Sequence, residues 1–181
     1  QYTVPDTVTS INSSAFADCT GLTGITIPDS VDYIGKYAFQ YCPELTSVKL
    51  PENITQISYA AFDWCSNLKS INIPNSVKFI DDYAFSNCSS LTDIKLPDSL
   101  QYIGESAFLN CTGIKSLTVP DSVVYIGGNA IGYYMDYDYW EYVLIDDFTI
   151  YGTAGSKAES YAIDNSIKFI SNLINNSTIS S

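Results

Sequence analysis

Cysteine is the most chemically distinctive residue type in this chain, and it recurs at one interval: Cys19, Cys42, Cys65, Cys88 and Cys111 stand 23 residues apart. Neighbouring turns of a repeat stack at ~4.8 Å, inside the Cα window of a disulfide, so adjacent pairing is geometrically open. Parallel side chains in one column point the same way rather than at each other, and the count is odd. A ladder of buried thiols, each making a weak S–H contact to backbone, is therefore favoured over disulfides. A second column could bind a hard cation: Asp6, Asp29, Glu52, Asp98 and Asp121 follow the prolines, with Asn75 as the exception. Calcium needs six or more converging oxygens, whereas a carboxylate between proline and Ser, Thr or Asn serves a turn, so no metal is expected.

What is missing narrows the chemistry further. The chain has no histidine and no arginine, which removes the usual general base, the commonest zinc ligand and the bidentate clamp for phosphate or carboxylate. Acidic residues exist, but spacing singles out no pair of them for acid–base work, so no enzyme is expected. Twenty Asp and Glu against eight Lys give a net charge of -12, which makes nucleic acid a poor partner. With 46% hydrophobic residues over 181, the chain can bury a core within one domain. No apolar run approaches the ~20 residues of a membrane helix, and no signal peptide precedes Gln1, so a chain not embedded in a membrane is expected.

The elements that would carry these residues follow from the same period. Prolines at 5, 28, 51, 74, 97 and 120 and isoleucines at 11, 34, 57, 80, 103 and 126 keep the register of the cysteines. Within one unit, Leu45-x-x-Val48-x-Leu50 reads as a short strand stopped at Pro51. Ile54-x-x-Ile57 is a second strand, closing on a column of small residues (Asn12, Gly35, Ser58, Asp81, Gly104, Gly127) expected to turn with positive φ. Ala61-Phe62 and then Cys65 fit a single helical or 3₁₀ turn that lays Phe62 and Cys65 on the core. One coil leaves both faces open, so stability must come from stacking.

Units such as LTDIKLPDSLQYIGESAFLNC, Leu91 to Cys111, resemble the BspA-type leucine-rich repeats, the 23-residue variety found in surface proteins of gut and oral bacteria. The resemblance implies a leucine-rich-repeat β-solenoid of about six 23-residue coils, short strands plus helical or 3₁₀ turns, secreted or held at a cell surface. FTIYGTAGSKAESYAIDNSIKFI, Phe148 to Ile170, is similar to the closing cap of secreted members. Its residues agree: Ser156 and Glu159 form a capping box, Ala158, Tyr161 and Ala162 one apolar helical face, and Ile167 to Ile170 a last strand. The expected organisation is a repeat array over 1–131, an irregular Tyr/Asp-rich loop over 132–147, the cap over 148–170 and a flexible tail over 171–181. At the other end Gln1 to Val4 read as the end of a strand, so an array beginning mid-repeat is expected.

Three surfaces are candidates for binding. Outward residues of the second strand include Tyr33, Phe79, Tyr102 and Tyr125, a stripe that suits a partner protein or sugar rings and that equally suits mutual stabilisation between coils. Lys49 and Lys95 mark the outward face of the first strand, with Lys69 and Lys115 nearby. The loop concentrates Tyr133, Tyr134, Tyr137, Tyr139, Trp140 and Tyr142 with Asp136, Asp138 and Glu141; recognition and sealing of the last coil are equally open roles for it. Tyr37, Tyr41, Trp64 and Tyr83 read as scattered aromatics. Asn12, Asn53, Asn87 and Asn110 begin Asn-x-Ser/Thr triplets that matter only in a glycosylating host. The resulting expectation is a monomeric, non-catalytic extracellular module that binds a host or bacterial surface protein. The alternatives are a carbohydrate-binding module of a glycan-degrading gut bacterium and a structural spacer.

Overall fold

The computed structural model describes residues 1–172, so positions 173–181 of the expected tail lie outside the described residues. Twelve short strands alternate along the repeats: β1 (Tyr2–Thr3), β2 (Ser10–Ile11), β3 (Gly24–Thr26), β4 (Tyr33–Ile34), β5 (Ser47–Lys49), β6 (Gln56–Ile57), β7 (Ser70–Asn72), β8 (Phe79–Ile80), β9 (Asp93–Lys95), β10 (Tyr102–Ile103), β11 (Ser116–Thr118) and β12 (Tyr125–Ile126). They are followed by β13 (Tyr133–Asp136), β14 (Glu141–Leu144), β15 (Thr149–Gly152), α1 (Lys157–Asp164) and β16 (Lys168–Ser171). The odd-numbered repeat strands make one parallel ladder and the even-numbered ones another, always one repeat apart in register, as in Tyr102 opposite Tyr125. The ladders are segmented: regular pairing is interrupted between β5 and β7, β9 and β11, and β4 and β6. The result is a β-solenoid.

The Ala-Phe corner forms a third ladder, and it departs from the expected helical turn. Bonds three residues back do occur, such as Cys65 N–H to the Phe62 carbonyl at 3.2 Å. Two left-handed residues interrupt each of the first five corners, at φ 49 to 59° in the column of Ser14, Tyr37, Ala60, Tyr83 and Ser106, which Asn129 continues into the sixth, and at 56 to 62° in that of Asp18, Tyr41, Trp64, Asn87 and Asn110. A helix needs successive right-handed residues, so none can run here. What the corner gains is a free N–H at alternate positions, aimed at the next coil: Phe39 N–H reaches the Ala61 carbonyl at 2.8 Å and Trp64 N–H the Ser86 carbonyl at 2.9 Å. The expected positive φ at the small-residue column is likewise corrected, since none of its six positions is left-handed. Smallness there answers a close approach instead: a Cβ on Gly104 would stand 2.3 Å from the Asp82 nitrogen.

The core runs the length of the stack. Phe39, Phe62, Phe85 and Phe108 are buried, and with Phe16 their rings lie parallel within 9° at centroid spacings of 5.2 to 5.5 Å. Beside them the cysteines are free thiols, each S–H donating to the carbonyl of the phenylalanine one coil back: Cys42 to Phe16 at 3.1 Å, Cys65 to Phe39 and Cys88 to Phe62 at 3.2 Å, and Cys111 to Phe85 at 3.0 Å. Cys19 is a free thiol and only partly buried.

At the far end β15 pairs with β11 and β16 with β15, adding a further turn. Ser156 Oγ accepts the Glu159 N–H at 3.4 Å, while the Glu159 carboxylate accepts the Gly155 N–H at 2.7 Å, a capping box whose return arm reaches one residue early. Ala158, Tyr161 and Ala162 turn inward from α1. The last strand includes Ser171, and Asn172 N–H bonds the Gly152 carbonyl at 2.7 Å. Those two positions of the expected tail are thus held by the sheet, whose ladder supplies partners for them.

Candidate functional site

The segment expected as an irregular loop is an antiparallel hairpin, with Tyr133 opposite Leu144 and Asp136 opposite Glu141. Its four-residue turn, Tyr137 to Trp140, closes through Asp136, whose Oδ1 accepts the Asp138 N–H at 2.9 Å and the Tyr139 N–H at 3.4 Å. Trp140 takes the left-handed conformation, φ 56°, that lets such a turn rejoin its strand.

Asn110 positions the hairpin. Its backbone N–H donates to the Tyr133 carbonyl at 2.9 Å and its side-chain oxygen accepts the Met135 N–H at 2.7 Å, so one residue presents β13 with both halves of a strand partner. An amide ladder braces it from below, with Asn110 Nδ2 donating to Asn87 Oδ1 at 2.7 Å and Asn87 Nδ2 to Asp63 Oδ1 at 3.0 Å. Sequence reasoning passed over these asparagines as glycosylation triplets. The signal was their place directly before Cys88 and Cys111, a column needing the left-handed conformation that asparagine tolerates.

The hairpin divides its aromatics between two jobs. Tyr133 and Tyr134 are partly buried and pack with Leu144 against the core, and the Tyr133 hydroxyl donates to Asn165 Oδ1 at 3.0 Å. Burial raises the Tyr133 phenol above its ordinary pKa. Beneath them the Tyr161 hydroxyl accepts the Ile131 N–H at 3.2 Å, and burial pushes its pKa up to about 12. At the tip Tyr139 and Trp140 are 76% and 77% exposed, and Tyr137 packs edge-on against Trp140 with centroids 6.1 Å apart.

The second-ladder stripe is shorter than its sequence suggests. Tyr33 stands apart behind Gln56, whereas Phe79 tilts onto Tyr102 at 6.5 Å and Tyr102 stacks on Tyr125 at 4.6 Å and 7°. Each of that last pair spends a ring face on the other. Burial, followed by the Asp82 carboxylate, raises the Tyr102 pKa. The aromatics read as scattered are aligned as well: Tyr41 stacks on Trp64 at 5.6 Å, and Tyr37, Tyr59 and Tyr83 form a tilted run at 5.2 and 5.7 Å. Rings 22 to 24 residues apart come together because the corner repeats its geometry in each coil.

On the first ladder Lys49 is exposed at the end of β5. Lys95 enters a shallow groove of about 780 Å³ between β9, β11 and the cap, where Asp93, Asp98 and Asp121 outnumber it and Thr153 Oγ1 donates to Asp121 Oδ2 at 2.9 Å. The two lysines are therefore not part of the hairpin site. Among the described residues no three acidic or cysteine side chains converge to hold a metal, and no helix is long and apolar enough to cross a membrane.

The sequence pattern described as the BspA type leucine rich repeat region matches residues 9–136 in six copies. Among solved structures, a leucine rich cell surface protein from Faecalibacterium prausnitzii is 39% identical, with a TM-score of 0.63 over 64% of this chain. The chain spans 31% of that protein's length. A leucine rich repeat protein of T. pallidum is 30% identical at a TM-score of 0.63, with coverage of 70% of this chain and 68% of the other. One from Eubacterium ventriosum is 26% identical at 0.65, over 70% and 34% respectively. No curated protein matches.

Proposed function

The chain belongs to the BspA-type leucine-rich repeat family, and on that premise we propose that it is a non-catalytic protein-binding module of a bacterial cell surface that grips its partner with the tip of the β13–β14 hairpin. The observation that carries this reading is the exposure of Tyr139 and Trp140, about three-quarters each, on a hairpin whose inner residues already do the sealing. Exposed rings held by a fixed turn offer large contact area at low entropy cost. The family supplies the setting, since the F. prausnitzii relative is a cell surface protein. The glycan alternative draws less support, because the most regular aromatic pair, Tyr102 and Tyr125, is stacked upon itself. Adhesion to host or neighbouring bacterial surface proteins is the expected setting.

The test is capture from mucosal and bacterial-surface extracts by the immobilised protein, compared with a Tyr139→Ala, Trp140→Ala double variant. Neither side chain is buried, so thermal unfolding should not change. Two aromatic hot spots removed together should weaken a captured partner by ~30-fold or more. Capture equal to that of the unaltered protein would remove the hairpin tip as the site.

A further inference from the structure

We propose that β14 is an open docking edge that takes up an extended, basic segment of the partner as a third strand of the hairpin; this rests on the reading of the hairpin as the binding site. In an antiparallel pair the backbone groups of successive residues point alternately toward the partner strand and away from it. The Tyr133 carbonyl and the Met135 N–H both point at Asn110, so it is the intervening Tyr134 and then Asp136 that bond across to Val143 and Glu141. Ile145 N–H, which bonds the Gly132 carbonyl at 2.8 Å, continues the same alternation. On β14 this leaves Tyr142 and Leu144 with N–H and C=O directed outward, and no other described backbone group bonds to either residue. The β13 edge is occupied by Asn110, whereas the β14 edge presents two donors and two acceptors in line, the arrangement that strand addition uses.

Charge selects the incoming strand. Asp136, Asp138, Glu141, Asp146 and Asp147 lie on or beside the hairpin, and no basic residue occurs between Lys115 and Lys157. Lys168 lines a shallow groove at the foot of the hairpin with Leu144, Asp146 and Asp147, two carboxylates to one cation. Asp136 and Glu141 are directly opposed across the two strands, a like-charge pair that weakens a hairpin standing alone. Asp136 has a task in the turn, but the Glu141 carboxylate has no hydrogen-bond partner among the described residues. A lysine or arginine on the added strand, on the same sheet face, relieves that repulsion, and the next cation along meets the exposed rings of Tyr139 and Trp140. A second copy of this chain fits poorly, because it would bring an identical acidic edge from a molecule of net charge -12.

The experiment follows amide hydrogen exchange by NMR on the whole chain while a ten-residue peptide alternating lysine and threonine is added. With the peptide at about ten times its Kd, Tyr142 and Leu144 exchange should slow about tenfold while Val143, already paired, changes little. Binding should weaken between ~50 and ~300 mM salt, and the same peptide with glutamate in place of lysine should not bind. Tyr142→Pro, which removes an outward N–H at a position where an edge strand tolerates proline, should lose the lysine peptide, whereas Tyr142→Val should keep it. If Tyr142→Pro does not fold, the exchange pattern of the unaltered chain decides alone. Peptide binding that leaves Tyr142 and Leu144 unprotected would overturn the edge, and no binding of the lysine peptide would overturn the basic strand. A dimer abolished by Tyr142→Pro would replace the partner with a second copy. Each of these failures leaves the hairpin reading intact if the Tyr139→Ala, Trp140→Ala variant still loses its captured protein; that variant's indifference would sink both.

Discussion

A cysteine in this fold serves as a packing residue whose proton the fold keeps in place. Burial pushes the Cys42 thiol from its ordinary 9.0 up to about 11, and Cys65, Cys88 and Cys111 higher still. In the unfolded chain each thiol releases its proton near 9, so above that pH the native state holds more protons than the unfolded one. Stability is therefore fully present below pH 9 and falls as pH rises toward 11 and beyond, by up to ~1.4 kcal/mol per pH unit for each thiol. Denaturant midpoints should drop steeply across pH 9 to 11, less so in a Cys65→Ala, Cys88→Ala variant; a flat profile in the unaltered protein would refute this. The favoured thiol ladder was legible because its argument was geometric, parallel side chains in one column. The carbonyl each thiol would find was not legible, since it depends on the phenylalanine 26 residues earlier lying directly beneath it.

At the scale of the element, the small-residue column shows where pattern reading stops. Gly127 belongs to that column and Gly128 follows it directly, yet the coil treats the two glycines oppositely. A Cβ on Gly127 would meet the Glu105 nitrogen at 2.5 Å, whereas one on Gly128 meets nothing within 4 Å. Backbone cannot step aside without parting β10 from β12, so Gly127→Ala should cost about 1–3 kcal/mol or more. Gly128→Ala should be neutral or gain up to ~1 kcal/mol from a stiffer unfolded chain. Equal chemical-denaturation midpoints for the two would contradict the close-approach account. The Ala-Phe corner was misread for a related reason: an i, i+3 spacing of apolar residues is common to a helix and to consecutive turns, and only the alternate N–H groups that bond the next coil tell them apart. The hairpin was misread because its strands are only four residues each: Tyr134, Asp136, Glu141 and Val143 make one face, and Tyr133, Met135, Tyr142 and Leu144 the other, an apolar stripe that exists only once the turn has brought the two halves together.

For the molecule as a whole, the period is the fold. Ladders, phenylalanine stack and thiol column each connect a residue to its equivalents in the neighbouring coils, which makes the structure close to one-dimensional and explains why the solenoid and its cap were readable without coordinates. Function was less so, because a partner is chosen by what breaks the period, and the hairpin is held by contacts with no equivalent in other coils: Asn110 along β13 and the Tyr133 hydroxyl on Asn165. One consequence is that the stack should tolerate losing a whole coil but not part of one. Deleting Ser70 to Thr92 joins Lys69 to Asp93, two residues already in consecutive columns, and sets Phe62 against Phe108 with Cys111 above the Phe62 carbonyl. That shortened chain should fold as a monomer with unchanged circular dichroism per residue and a smaller denaturant m-value, since less surface is exposed on unfolding. Deleting only Ser70 to Asp81 brings the columns out of register, aims polar residues at the core and should give no cooperative transition. If the two deletions behaved alike, stability would reside in something other than coil-on-coil stacking, and the hairpin could no longer be regarded as a site mounted on an indifferent scaffold.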